Sequence, residues 1–160
     1  MRETLALAAG VIGLGEFPIA ATIVLNDKII TKATTAEQRE KRFLIHAELL
    51  ALEAADKLGL SYENRREARL FTNLEPCLMC IGAAMSFFIG EIYYSLESPA
   101  DGAVDVVKVW QRKVEDMPGY QLPKITGGIL REESIQLFEK YVSTCPPGPM
   151  REWANTLTKL

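Results

Sequence analysis

The chain has 160 residues, 48% hydrophobic and 24% charged, the size and balance of one folded domain with its own core rather than a disordered chain. Its formal charge of −3 excludes a general electrostatic attraction to nucleic acid, which is gripped chiefly through Lys and Arg. Three cysteines, an odd number, argue against a secreted disulfide scaffold.

Residues 2–13 predict a helix, with Leu5, Ala8, Ala9 and Ile12 on one face and Gly13 and Gly15 behind it. The apolar run Leu5 to Leu14 after Arg2 resembles a weak signal peptide, but Glu3 in the charged segment speaks against export. No other run is long enough to span a bilayer, so no membrane partner and a cytoplasmic location are expected. Ile19 to Leu25 is a nearly continuous apolar run, as a strand covered on both faces would be. Asn26-Asp27 marks a turn, and Ile29-Ile30 a short second strand, making 18–33 a hairpin.

Thr35-Ala36-Glu37-Gln38 has the form of a capping box. The main helix is placed from about Ile45 to Lys57, ended by Gly59, with at most a short helical turn before it. Residues 61–67 are polar and read as a loop, and 68–72 as a strand. Pro76 suits the first turn of a helix running from about Cys77 to Phe88, with Gly90 ending it. Ile92 to Ser95 is a strand, 98–102 a loop and 103–114 mostly helical. Gln121 to Thr126 is a short strand and Ile129 to Val142 a strong amphipathic helix. Residues 1–143 are thus expected to form the domain. Residues 144–160 read as a proline-rich linker with a short amphipathic tail around Trp153. This order implies a layered α/β/α domain with one central mixed sheet of about five strands. Arg39, Lys41, Arg42 and Arg65, Arg66, Arg69 form two basic clusters, read as solvated faces.

The chemistry concentrates in two short stretches. His46-Ala47-Glu48 holds the only histidine, and Pro76-Cys77-Leu78-Met79-Cys80 holds two of the three cysteines. Two thiols and one imidazole are a donor set for Zn²⁺, and three protein ligands leave a fourth position for water. Glu48 could move protons there. A lone Cys-x-x-Cys also marks redox sites and structural zinc, but a redox site does not explain His46. A structural site would need a fourth donor, for which Cys145 is the other soft candidate. Cys145 beside Pro146 otherwise reads as an idle thiol.

His-x-Glu followed by Pro-Cys-x-x-Cys is the signature of zinc deaminases that act on bases. The chain resembles the cytidine deaminase-like superfamily, nearest the tRNA adenosine deaminase and nucleoside deaminase branch. Phe17-Pro18-Ile19-Ala20, His46-Ala47-Glu48-Leu49, Leu74 to Ala83 and Gly127-Gly128-Ile129-Leu130 carry the likeness. The resemblance implies that His46, Cys77 and Cys80 hold Zn²⁺ and that Glu48 is the catalytic proton carrier. It implies a substrate-binding role for the Ala47 backbone N–H, and a homodimer. An Asn that helps hold the base in the tRNA-acting branch falls at Thr34 or Thr35 here. The Asp-Pro-Thr-like turn before the histidine is replaced by Arg42-Phe43-Leu44-Ile45. The usual small Gly of the first strand is Ala20, and the basic, aromatic C-terminal helix is replaced by Tyr141-Val142-Ser143 and the proline-rich tail. These departures and the acidic balance point to a hydrolytic deaminase of a base, nucleoside or related heterocycle. Editing of adenosine in tRNA is the alternative, disfavoured on the same grounds. A non-catalytic zinc-binding module is the rival from another class. Phe43, Thr35 and the tail around Trp153 are the candidate pocket lining.

Overall fold

The structure is a computed structural model and describes residues 1–111 and 120–160. It opens with α1 (Arg2–Ala9), which Gly10 caps, followed by a single 3₁₀ turn at Ile12–Leu14. The first helix is therefore shorter than the apolar periodicity suggested. Gly15, with φ of 75°, turns the chain there.

Strands β1 (Ala20–Leu25) and β2 (Lys28–Thr34) form the expected hairpin. Asn26 and Asp27 hold φ of 50° and 58°, the doubled left-handed turn that matches strand twist. β2 is longer than the two apolar residues that marked it, because an edge strand tolerates polar residues facing water. Next come α2 (Glu37–Glu40), α3 (Ala47–Asp56) and α4 (Tyr62–Glu67). The last corrects the loop reading of 61–67. Its apolar period is absent, but Ser61 Oγ accepts from the Asn64 backbone N–H at 3.2 Å and starts the helix.

The remaining elements are β3 (Arg69–Leu74), α5 (Leu78–Phe87), β4 (Glu91–Leu96), α6 (Val104–Lys108), β5 (Lys124–Thr126), α7 (Arg131–Thr144) and α8 (Pro149–Leu157). Cys77 is the residue that caps α5, so Pro76 lies one position outside it. Phe88, with φ of 68°, ends α5 in place of Gly90. α6 covers only the start of the helix expected over 103–114, and 112–114 lie outside the described residues.

The sheet order is β2-β1-β3-β4-β5. β1 runs antiparallel to both β2 and β3, and β3, β4 and β5 are mutually parallel. This is the expected five-stranded mixed sheet. Alternation along β1 separates its faces. Ala21 and Ile23 join Ala51, Leu52, Ala55, Ala84 and Phe87 in a core beneath α3 and α5. Thr22 faces the other way, its hydroxyl 2.9 Å from that of Thr4 on α1. The second side is closed by α1 and α7. Ile135, Phe138 and Tyr141 of α7 pack there with Ala154 and Leu157 of α8.

One buried amide sets the end of β3. Asn73 accepts from the Ala20 N–H at 2.8 Å and donates to the Pro18 carbonyl at 2.8 Å. Its own carbonyl accepts from Ser134 Oγ of α7 at 2.7 Å. β1, β3 and α7 are thereby tied together three residues before Pro76-Cys77.

Candidate metal centre and active-site pocket

Two helix starts converge at one end of the sheet. His46 caps α3 in an extended conformation (φ −75°, ψ 147°), which places Ala47 and Glu48 in the first turn. Cys77 caps α5 and Cys80 follows on its first turn. α3 and α5 pack side by side on one face of the sheet, so both starts reach the same point. One ligand atom each from His46, Cys77 and Cys80 lies within 4.8 Å of the others. His46 Nδ1 is 3.8 Å from Cys77 Sγ and 3.6 Å from Cys80 Sγ, and the sulfurs are 3.6 Å apart. Two thiols and an imidazole at these distances fit a zinc ion by their chemistry and their convergence.

The three donors shift one another's protonation. Cys77 is drawn down to about 4, chiefly by its hydrogen bond with Cys80 and then by His46. Cys80 is pushed up, chiefly by the same bond and then by burial. His46 is raised to about 9 by its contact with Cys77. The uncovered N–H groups at the start of α5 favour the same charge distribution.

Glu48 stands beside the cluster, with Oε2 3.5 Å from Cys80 Sγ. Its Oε1 accepts from Thr72 Oγ1 of β3 at 2.8 Å. The side chain is 4% exposed, and burial pushes its carboxyl above the ordinary range. Burial of this kind favours the protonated form of the carboxyl over the charged one.

A cavity of about 350 Å³ opens onto this cluster. Thr35, Glu37, His46, Ala47, Glu48, Cys77 and Asp101 line its polar side, while Phe17, Leu74, Met150 and Trp153 form an apolar wall. Trp153 on α8 meets Phe17 edge-on at 4.8 Å. Thr35 and Trp153 therefore line the pocket as expected. Phe43 does not: it is 87% exposed and absent from the lining. The Thr35 capping box is not formed either. Thr35 Oγ1 donates to the Ile45 carbonyl at 3.0 Å, and α2 starts without a capping side chain from Thr35.

Three contributors escaped the sequence reading. Glu37 Oε1 is 3.0 Å from His46 Nε2. Asp101 reaches the pocket from the loop after β4. Glu75 anchors that loop, accepting from the N–H groups of Ser98 at 3.1 Å and Val104 at 3.0 Å. The loop can approach only because Gly102 lacks a side chain, since a Cβ there would lie 2.5 Å from Glu75 Cδ. The Leu74-Glu75-Pro76-Cys77 stretch was legible, but nothing local says that Glu75 grips a loop some twenty residues on.

Residues 1–96 match the family model described as the cytidine and deoxycytidylate deaminase zinc-binding region. The chain belongs to that family. The zinc-binding deaminase is 29% identical over 143 residues to a tRNA-specific adenosine deaminase of Rickettsia bellii, covering 88% of this chain and 96% of the relative. It is 34% identical over 142 residues to a tRNA(Ile)-lysidine synthase of Deinococcus radiodurans, but spans only 23% of that longer protein. A solved tRNA deaminase that performs A-to-I editing at the wobble position superposes with a TM-score of 0.69 at 27% identity, covering 86% of this chain and 96% of that one. A guanine deaminase from Nitrosomonas europaea shares the fold, with a TM-score of 0.65 at 22% identity, over 88% of this chain and 81% of that one. The deaminase is a zinc-dependent hydrolase of C–N bonds in cyclic amidines. Among the described residues, no helix is long and apolar enough to cross a membrane.

Proposed function

We propose that this deaminase acts on a free nucleobase, a nucleoside or a related small amino-heterocycle, with His46, Cys77 and Cys80 as zinc ligands and Glu48 as the proton carrier. Water adds at the ring carbon bearing the amino group, ammonia leaves, and a carbonyl remains. When bound, zinc supplies the Lewis acidity that makes water a nucleophile near neutral pH. Glu48 accepts the proton of that water and returns protons to the ring nitrogen and the departing amine. Thr72 holds the carboxylate for this work. The N–H of Ala47 lies in the first turn of α3, where helix geometry leaves it without an intrahelical partner, and can donate to the substrate. Thr35 spends its hydroxyl proton on Ile45, so toward the pocket it offers lone pairs and suits a substrate N–H.

The observation that carries the substrate class is the pocket lining. It holds Glu37, Glu48, Glu75 and Asp101 and no Lys or Arg among the described residues. A phosphate group would find repulsion there in place of a charge-assisted partner. Arg39, the arginine on the turn that carries Glu37, is occupied by Glu16. The likeness to tRNA deaminases over nearly the whole chain favours the second reading, adenosine-to-inosine conversion in tRNA. Ammonia release across a panel of bases and nucleosides, beside inosine formation in tRNA at low salt, separates the two. Turnover of a free base or nucleoside supports the first reading. Inosine in tRNA with no small-molecule turnover overturns it.

The assembly we favour is a homodimer in the cytoplasm. Phe43, Leu44 and Leu78 are 87%, 65% and 58% exposed. They lie within three residues of His46 or Cys77 in the sequence, and large exposed apolar side chains suit burial against a second copy. The three free cysteines suit a reducing compartment.

A further inference from the structure

The two ring nitrogens of His46 have different neighbours. Nδ1 faces both sulfurs, at 3.8 and 3.6 Å. Nε2 faces the Glu37 carboxylate at 3.0 Å. A neutral imidazole that offers Nδ1 to a cation must carry its proton on Nε2. Glu37 stands where that proton points.

We propose that Glu37 is a positioning residue for the metal centre: its carboxylate accepts the Nε2–H of His46, fixing the tautomer and the ring plane that aim Nδ1 at the cation. This rests on the zinc site described above and adds to it a residue outside the ligand set.

The support of Glu37 is built rather than incidental. The carboxylate of Glu16 is wholly buried and accepts from the backbone N–H groups of Gln38 at 3.1 Å and Arg39 at 2.6 Å. The Arg39 side chain completes that grip through Nε at 3.2 Å. The same turn is tied to the residue before His46. Ile45 C=O accepts from the Ala36 N–H at 3.2 Å and from Thr35 Oγ1 at 3.0 Å. Arg39 also donates to the Thr35 carbonyl at 3.1 Å. Residues 35–39 are therefore clamped on one side to Glu16 and on the other to Ile45, the residue before His46. Glu37 sits between the clamps, its side chain 18% exposed.

A solvated ion pair would contribute little to anything. A carboxylate behind a ligating histidine does more, because it raises ligand basicity and removes the rotational freedom that binding would otherwise cost. Removing such a partner lowers metal affinity by about 10–100-fold.

The test uses the full chain. Zinc affinity is measured by competition with a chromophoric chelator for wild type, Glu37→Ala, Glu37→Gln and the control Glu40→Gln. Glu40 lies on the same helical turn but pairs with exposed Arg42. Glu37→Ala is expected to weaken zinc binding by about 10–100-fold, Glu37→Gln by less because its amide oxygen still accepts, and Glu40→Gln not at all. Unchanged affinity in Glu37→Ala overturns the proposal. A second readout needs no variant. His46 is the only histidine, so a long-range proton–nitrogen correlation spectrum of the zinc-loaded wild type reports one ring. The Nε2–H form with a strongly hydrogen-bonded proton is expected, and an Nδ1–H form overturns the proposal even if the variants fail to fold. A wild type that takes up no zinc would instead sink the site reading on which this rests, so the two failures are distinct.

Discussion

Thr72 Oγ1 on β3 donates to Glu48 Oε1 on α3 at 2.8 Å, and both side chains are almost wholly out of water. The bond crosses from sheet to helix at the point where the metal-ligand cluster forms. It leaves Oε2 turned to Cys80, whose Sγ lies 3.5 Å away. Thr72→Val keeps the shape and removes the donor. A hydrogen bond to a charged group contributes about 1.5–3 kcal/mol, so kcat is expected to fall roughly tenfold or more with zinc content unchanged. Steady-state kinetics beside metal analysis checks this.

Glu48→Gln is expected to remove about 10²–10⁴ of the rate and to keep the metal. The zinc-free protein adds a pH signature. Burial raises the folded-state value of the Glu48 carboxyl above the ordinary 4.5. Its contribution to stability is therefore complete below 4.5 and lost as pH rises through the folded value. After chelator treatment, wild type should lose melting temperature relative to Glu48→Gln as pH is raised from acid to neutral. Parallel melting curves across that range would show that the carboxylate is not penalised by burial.

Cys77 is held near 4 while Cys80 is pushed up and buried. Brief alkylation of zinc-free protein at neutral pH should label Cys77 well before Cys80, since the thiolate is the nucleophile. Cys77 labelling should stay nearly level from neutral pH down to mildly acidic pH. Zinc should protect both. Peptide mass spectrometry reads all three outcomes, and preferential labelling of Cys80 would contradict the charge distribution described.

Trp153 joins the pocket wall to the second core, meeting Phe17 at 4.8 Å and Phe138 at 6.1 Å. Each such aromatic contact is worth about 0.5–1.5 kcal/mol beyond its buried area. Trp153→Ala should raise KM for a small heterocycle by roughly 2- to 10-fold, lower the melting temperature and leave zinc stoichiometry untouched. An unchanged KM would show that α8 does not touch the substrate.

Leu78 follows Cys77, a proposed metal ligand, yet is 58% exposed. Leu78→Glu should convert the proposed homodimer to monomer in light scattering, with the circular dichroism spectrum preserved. A wild type that is monomeric at all concentrations would dispose of the dimer.

The chemistry was legible because its donors are few and closely spaced. His46, Glu48, Cys77 and Cys80 announce themselves by residue type, and the strand and helix periods around them place them at helix starts. α4 was missed because all six of its residues, Tyr62 to Glu67, lack an apolar stripe. Its signal was Ser61, a capping residue without a hydrophobic follower. Glu37 and Asp101 look like any solvated acid in a polar segment, and only tertiary approach gives them meaning. The Thr35 capping box failed for a related reason. Its hydroxyl went to Ile45, ten residues on, while the Gln38 N–H it would have capped went to distant Glu16.

The proposed ligands and Glu48 stand at the starts of α3 and α5, bedded on one face of the sheet, while the opposing wall comes from α8 and the loop pinned by Glu75. The reacting groups and the apolar wall of the pocket are thus carried by separate pieces of chain. A lineage on this scaffold can exchange its repertoire of heterocycles by remodelling α8 or the Asp101 loop, with the cation's own bonds exempt from that selection.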